Sequence, residues 1–339
     1  MKRKISLEGI KFFDENGVAH ISKEIADISD LIDMANSYNY KLKYNIDLKK
    51  LVEIKPEMVM LNELIGLSNI KRDLVSQILY FIQNFHDENM LHIVIQGSPG
   101  VGKTKLANII GKIYFKLNVL KSSDSAFPKL VVAKRSDLIG EYLGTTAKKT
   151  QQVIDSCKGG VLLIDEAYAL GNKEGRDSYS KECIDTLNQN LSEGKSDFLC
   201  IIAGYKDSLE QCFFKHNAGL RRRFPFVYTI NNYSADELSS IYVQMIKNEN
   251  WSLCKKHNDE IKAVFKLEYA LFSNMGGDVE TLWFFTKLEH SKRVFCLSEK
   301  NKKFITIHDT KNGIKKLKDN KESTQPEKDE LSVISHMYM

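Results

Sequence analysis

Ile93-Val94-Ile95-Gln96-Gly97-Ser98-Pro99-Gly100-Val101-Gly102-Lys103-Thr104 joins an apolar run of strand length to a glycine-rich turn, and KTKLANIIGKIYFKL from Lys103 continues with helical spacing. From Gly97 the chain fits GxxxxGK followed by Ser or Thr, and the strand before and helix after supply the context that gives this pattern its meaning. Glycines let the backbone wrap until several N–H groups face one phosphate, while the following helix presents its positive dipole end. Lys103 is expected to contact the β- and γ-phosphates as a point charge, and the Thr104 hydroxyl to ligate Mg²⁺. Gly97, Ser98, Pro99, Gly100, Val101, Gly102, Lys103, Thr104 and Lys105 are the candidate nucleotide-binding residues.

Outward from this stretch, apolar runs of strand length alternate with helical patterns: LVVAK with TAKKTQQVIDSC, VLLID with KECIDTLNQNLS, then FLCIIAGY. The alternation predicts an α/β fold, a P-loop parallel sheet covered by helices on both faces. Val161-Leu162-Leu163-Ile164 reads as a central strand buried on both sides, and it ends in Asp165-Glu166. In open α/β sheets the ligand crevice lies at the carboxyl end of the strands. There Asp165 can hold Mg²⁺ through its water shell, and Glu166 can polarise the water that attacks the γ-phosphate. No NKxD-type guanine signal follows, so ATP is the expected nucleotide.

At 339 residues, 42% apolar and 27% charged, the chain can bury one full core and a smaller second one. Residues 1–60 read as an N-terminal appendage with one amphipathic stretch, Ile25 to Tyr38, and an approach segment broken by Pro56. Residues 61–230 form the α/β nucleotide-binding block and 231–318 a small helical lid domain; 319–339 read as disordered. The basic start lacks the apolar run of a secretory signal, and no later apolar stretch has membrane-spanning length, so a soluble, cytoplasmic protein is expected. Six scattered cysteines suggest neither disulfides nor zinc. The net charge of +5 is matched by residues 300–328, with nine Lys against four acids; this reads as a solvated, mobile segment and only weakly as a nucleic-acid arm.

The segment from Leu61 to Phe226 resembles the AAA+ clade that contains red-type rubisco activases and stage V sporulation protein K. LNELIGLSNIK is similar to the clade's LxxxxGLxxVK, SDLIGEYLGTTAKKT to its RxDLVGxYxGxTAxKT, and GGVLLIDEAYAL to its GGVLFIDEAYxL. IIAGYKDSLEQCFFKHNAGLRRRF likewise resembles xxAGYxxxMxxFxxxNPGLxSRF. The resemblance implies a homo-oligomeric ring, expected to be a hexamer, that hydrolyses ATP and acts on a protein partner. It implies Ile65 and Gly66 beside the adenine, and Tyr142-Leu143-Gly144 as a pore loop whose aromatic grips extended polypeptide. Among Arg221, Arg222 and Arg223 it implies that one, Arg223 ahead of Arg221, crosses to the neighbouring subunit's ATP.

Two positions depart from the family pattern. Where AAA+ proteins commonly carry a polar Asn or Thr, this chain has Ala203-Gly204-Tyr205, and Tyr205 is a candidate catalytic residue through its hydroxyl. In the lid, Gly277-Asp278-Val279-Glu280 puts Glu280 where the family has an arginine, and a carboxylate cannot donate to phosphate. Either a nearby cation such as Lys287 or Arg293 compensates, or ATP binding and lid closure are coupled more weakly than in the family. The absent Pro at Ala218 is expected to matter little. The leading expectation is a ring ATPase that remodels a protein; the alternatives are a nucleic-acid motor or loader, and a slow ATP-binding switch.

Overall fold

The computed structural model describes residues 10–85, 90–120, 130–142, 144–171, 177–193, 197–217, 219–253, 257–296 and 302–324. Leu143, Ala218, Cys254 and the segment 325–339 lie outside the described residues. Contacts divide the chain into two units, Met1–Gly97 with Gly102–Asn231, and Ser98–Val101 with Asn232–Met339.

In the first unit the chain opens with β1 (Ile10–Phe13), β2 (Val18–Ile21), α1 (Ile28–Ser37) and β3 (Lys43–Tyr44), the strands forming a small sheet in the order β1-β2-β3. Asp27 starts α1 by accepting from the Ser29 and Asp30 N–H groups, while Asp30 reaches back to the Asp27 N–H. Next come α2 (Leu48–Glu63) and α3 (Ser68–Ile82). The expected break at Pro56 does not occur: α2 runs through it. Pro56 cannot supply the N–H that the Val52 carbonyl would accept, while the Lys116 ammonium donates to the neighbouring Glu53 carbonyl at 3.1 Å and pairs with Glu57, tying α4 to this turn.

The alternating segments then give β4 (Ile93–Gly97), α4 (Lys103–Lys116), β5 (Leu130–Ala133), α5 (Arg135–Leu138), α6 (Thr146–Ser156), β6 (Val161–Ile164), α7 (Ser178–Glu193), β7 (Leu199–Gly204), the short α8 (Lys206–Ser208) and β8 (Phe226–Ile230). The five strands form one parallel sheet in the order β5-β6-β7-β4-β8. Every residue of β6 is buried, as a central parallel strand requires. Ile154, Leu187, Leu191, Phe213 and Phe224 join the strand side chains in one core cluster. Pairing of Gln96 with Gly204 and of Ile164 with Ile202 brings the carboxyl ends of β4, β6 and β7 to the same edge. That edge carries the glycine-rich turn, Asp165-Glu166 and Tyr205.

The second unit holds α9 (Ala235–Asn248), β9 (Ser252–Leu253), α10 (Asn258–Leu267), α11 (Gly276–Val294), β10 (Phe304–Ile305) and α12 (Ile307–Thr324), with β9 and β10 paired in parallel. Ser234 and Glu237 form a capping box at the start of α9. A Cβ on Gly313 would stand 2.6 Å from Thr286 Oγ1, so glycine permits the close approach of α11 and α12. Beside it the buried Tyr242 hydroxyl lies 2.9 Å from Thr286 Oγ1 and 3.1 Å from Thr310 Oγ1.

Two expectations for the C-terminal part are corrected. The helix continues to Thr324, six residues beyond 318, because its lysines have partners. Lys316 pairs with Glu289, Lys318 with Glu268 and Lys321 with Asp278, so three lysines of the basic run brace α12 onto its neighbours, while Lys311 and Lys315 are exposed. No helix among the described residues is long and apolar enough to cross a membrane.

Candidate nucleotide site

Gly102 caps α4 in the left-handed region, with φ 87°, and the Leu106 N–H donates to its carbonyl. Lys103 follows with only 7% exposure and its ammonium 3.1 Å from the Gly97 carbonyl oxygen, across the mouth of the turn. Burial lowers the Lys103 pKa, opposed by the charges of Glu166 and Asp165. Thr104 Oγ1 stands 3.2 Å from Asp165 Oδ2. These residues fit a Mg-nucleotide: hydroxyl and carboxylate are hard oxygen donors, Mg²⁺ takes its remaining ligands from water and phosphate, and Lys103 with the α4 dipole suits phosphate charge. Lys105 is exposed on the first turn of α4.

Glu166 has φ 54° and ψ 42°, a left-handed conformation that a β-substituted residue adopts at a cost. Its carboxyl pKa is raised, first by burial and then by Asp165, with Lys103 opposing. A carboxylate with raised proton affinity beside a Mg²⁺ position suits a general base. Immediately after it, Tyr168 stacks on Tyr205, ring centroids 5.3 Å apart at 25°, and the Lys103 ammonium lies 5.1 Å from the Tyr205 ring centroid. Of Asp165-Glu166-Ala167-Tyr168, only the two acids carry a role legible in the sequence; Ala167 and Tyr168 enter there through the family resemblance alone.

Ile65 and Gly66 are half-buried in the turn between α2 and α3. Gly66 (φ 70°) and Leu67 (φ 62°) are consecutive left-handed residues, and Lys71 secures the turn by donating to the Asn62 and Leu64 carbonyls at 2.9 and 2.5 Å. Lys71 is a positioning residue that motif reading missed; it is the closing Lys of the LNELIGLSNIK lead-in.

Tyr142 is 72% exposed. Its loop is braced from α6: Thr145 Oγ1 donates to the Tyr142 carbonyl at 2.7 Å, the Gly140 N–H donates to Thr146 Oγ1, Lys149 reaches the Ser136 and Ile139 carbonyls, and Thr150 reaches that of Leu138. These bonds give the TTAKKT run a local purpose, fixing the backbone that displays Tyr142. Gly144 has φ 81° and open space around it.

The three arginines differ. Arg223 is turned into its own unit, donating to Ser192 Oγ and to the Gly219 carbonyl. Arg221 lies over the Phe214 ring at 4.7 Å and 3.3 Å from Glu210, whereas Arg222 is exposed. In the other unit Glu280 is exposed, and the expected replacement cations are committed elsewhere: Lys287 to Glu249 at 2.9 Å, Arg293 to Asp309 at 2.8 Å. Both are thereby corrected from candidate phosphate ligands to structural partners within the lid. In the same unit the Gly276 N–H donates to the Gly100 carbonyl and the Tyr233 hydroxyl to that of Val101. A Cβ on Gly100 would meet the Asn274 carbonyl oxygen at 2.0 Å, so that position must be glycine. Ser98 is half-buried and Pro99 exposed.

A family model described as ATPase family associated with various cellular activities (AAA) matches residues 93–231. A cfxQ-like protein of Acanthamoeba polyphaga mimivirus is 38% identical over 303 residues, 88% of this chain and 73% of that protein. Stage V sporulation protein K of Bacillus subtilis is 34% identical over 62% of this chain and 65% of its own length; for Protein CbbX of Cereibacter sphaeroides the figures are 34%, 54% and 57%. The match therefore spans less than two thirds of each of these two relatives. Among solved structures, the FIGL-1 AAA domain in complex with ADP superposes with TM-score 0.55 at 16% identity over 81% of this chain and 87% of that one. The Thermotoga maritima RuvB Holliday junction branch migration motor gives 0.52 at 17% over 75% and 70%. At these identities the likeness is one of fold.

Proposed function

Because the chain belongs to the AAA ATPase family, alongside the cfxQ-like proteins, and is an ATP hydrolase, we propose that it works as an oligomeric ring that uses Mg²⁺-dependent ATP hydrolysis to remodel a protein partner. Bound Mg-ATP supplies a γ-phosphoryl group open to in-line attack by water. Lys103 neutralises charge on the phosphates, Thr104 and Asp165 hold the metal, and Glu166 orients the attacking water and accepts its proton. Arg223, with Arg221 beside it, would serve the neighbouring subunit's site after leaving Ser192 and the Gly219 carbonyl, which makes assembly a condition of turnover.

The observation that carries the remodelling reading is Tyr142, 72% exposed, with the backbone leading to it held by Thr145 and Lys149 from the segment that follows. An exposed aromatic on a rigid support can grip polypeptide without sequence preference. The nucleic-acid alternative draws less support, since Lys316, Lys318 and Lys321 are engaged within the lid.

The test is steady-state ATP hydrolysis against protein concentration, with mass determination in ATP, for wild type, Arg223→Ala and Tyr142→Ala. A specific rate that rises with assembly and is lost in Arg223→Ala supports a shared site; Tyr142→Ala should then lose partner remodelling before ATP turnover. A rate independent of concentration and indifferent to Arg223 would make each subunit an independent ATPase.

A further inference from the structure

Tyr205 occupies the position from which a polar side chain is expected to read the γ-phosphate, yet what it presents to Lys103 is a ring face. We propose that the stacked pair Tyr168 and Tyr205 is a positioning device for Lys103, and that Tyr205 serves ATP hydrolysis through its ring and not through its hydroxyl. The proposal rests on the ATP-hydrolase reading and assigns the two aromatics a part in it.

Three observations converge. The Lys103 ammonium stands 5.1 Å from the Tyr205 ring centroid, inside the roughly 6 Å over which an aromatic face attracts a cation. The Tyr205 ring is in turn backed by Tyr168, which is itself packed against the core of the α/β unit. Gly204 leaves the stack uncrowded: a Cβ there would lie 3.0 Å from Tyr168 Cδ1 and 3.1 Å from Leu209 Cδ2, and both would have to give by a few tenths of an ångström. Asp165-Glu166-Ala167-Tyr168 and Ala203-Gly204-Tyr205 are therefore two halves of one ledge, a relationship invisible in either segment alone.

The chemistry explains why a ring suits this place. Lys103 is almost fully buried and lies 3.1 Å from the Gly97 carbonyl oxygen, yet must be able to move to phosphate oxygens. A carboxylate directly on the ammonium would hold it too firmly, since charge-assisted hydrogen bonds are strong. An aromatic face attracts it weakly and has no lone pair in the plane of approach to compete with phosphate. A phenol is neutral near pH 7, and burial with Glu166 and Asp165 raises the Tyr205 pKa further, so the ring meets Lys103 as a neutral aromatic.

The experiment compares Tyr205→Phe, Tyr205→Leu and Tyr168→Leu with wild type in the full chain, by kcat and KM for ATP and by the acylation rate of Lys103 with acetyl-N-hydroxysuccinimide in nucleotide-free protein, read by peptide mass spectrometry. Melting temperatures show which variants fold. Loss of the ring in Tyr205→Leu should lower kcat/KM by roughly threefold to thirtyfold. It should also change the Lys103 acylation rate. Tyr205→Phe should rescue both readouts to within about twofold, and Tyr168→Leu should move them in the same direction as Tyr205→Leu. If Tyr205→Phe loses as much activity as Tyr205→Leu, the hydroxyl is the working group and the proposal falls; it falls also if Tyr205→Leu leaves both readouts unchanged. A wild type that hydrolyses no ATP, with Lys103 acylation still following the ring, would overturn the hydrolase reading and leave the positioning of Lys103 standing.

Discussion

Thr104 Oγ1 lies 3.2 Å from Asp165 Oδ2, joining the first turn of α4 to the end of β6 across 61 positions of sequence. The two oxygens are close enough to share one metal or a water of its shell. Thr104→Ala and Asp165→Asn should therefore each reduce ATP hydrolysis by about a hundredfold or more at millimolar Mg²⁺. For Thr104→Ala the half-saturating Mg²⁺ concentration should also rise. Hydrolysis titrated with MgCl₂ at fixed ATP checks both; unchanged Mg²⁺ dependence in the two variants would detach this pair from the metal.

Glu166 combines a raised proton affinity with left-handed backbone. Glu166→Gln keeps shape and conformation but removes the base, so turnover should fall by about 10²–10⁴-fold while ATP is still retained. Glu166→Gly removes the base and relieves the backbone, so it should be as inactive yet more stable by about 1 kcal/mol. Hydrolysis, ATP binding by calorimetry and thermal melting together test the pairing of strain with function. A Glu166→Gly protein that melts below wild type would show that the conformation costs nothing.

In the core beside α4, Gln77 Oε1 accepts from the Tyr114 hydroxyl at 2.6 Å and the Tyr228 hydroxyl at 2.7 Å, linking α3, α4 and β8 through buried oxygens. Gln77→Leu would leave two buried hydroxyls without an acceptor, at a cost of about 2–4 kcal/mol. The apolar triple variant Gln77→Leu, Tyr114→Phe, Tyr228→Phe should recover much of this, because no polar group is then stranded. Chemical denaturation of the three proteins decides between this account and a simple loss of packing, which the triple variant would deepen.

What was legible in the sequence was chemistry at fixed spacing along the chain. Gly97 to Thr104, Asp165-Glu166 and Tyr205 all follow strands of one parallel sheet, so reading the strands already brought them to one edge. What escaped was pairing across the fold. Composition counts the lysines of residues 300–328 but not the acids on other helices that hold Lys316, Lys318 and Lys321. Pro56 signals a break by local rules, whereas burial of Leu51, Ile54, Met58 and Leu61 carries α2 through it. Lys287 and Arg293 looked available for phosphate because their carboxylate partners, Glu249 and Asp309, are remote in sequence. The same limit hid the ring of Tyr205 behind its hydroxyl.

Asp309 anchors the lid: its carboxylate is almost fully buried and accepts from Arg293, from the Thr306 N–H and hydroxyl, and lies 3.1 Å from His290 Nδ1. Burial would push this carboxyl up, but the donors outweigh burial and hold it well below the usual carboxylate range. The folded lid thus keeps Asp309 ionised at pH values where the unfolded chain, with an ordinary carboxyl near 4, takes up a proton. A depressed folded-state pKa gives stability that is fully present above the unfolded value and lost as pH falls towards the folded one. Lid stability should accordingly be flat from neutrality to about pH 5 and decline steadily below about pH 4. Asp309→Asn should lower stability at neutral pH by about 3–5 kcal/mol, since Arg293 and the Thr306 donors lose a charged acceptor, and should flatten the acid slope. The chain has two tryptophans, and both Trp251 and Trp283 lie in the lid, with Trp251 against His290 at 5.2 Å between ring centroids. Fluorescence excited selectively at tryptophan therefore reports this unit, and urea titrations from pH 7 to pH 3 follow its unfolding. An acid slope as steep in Asp309→Asn as in wild type would assign the pH response to other carboxylates.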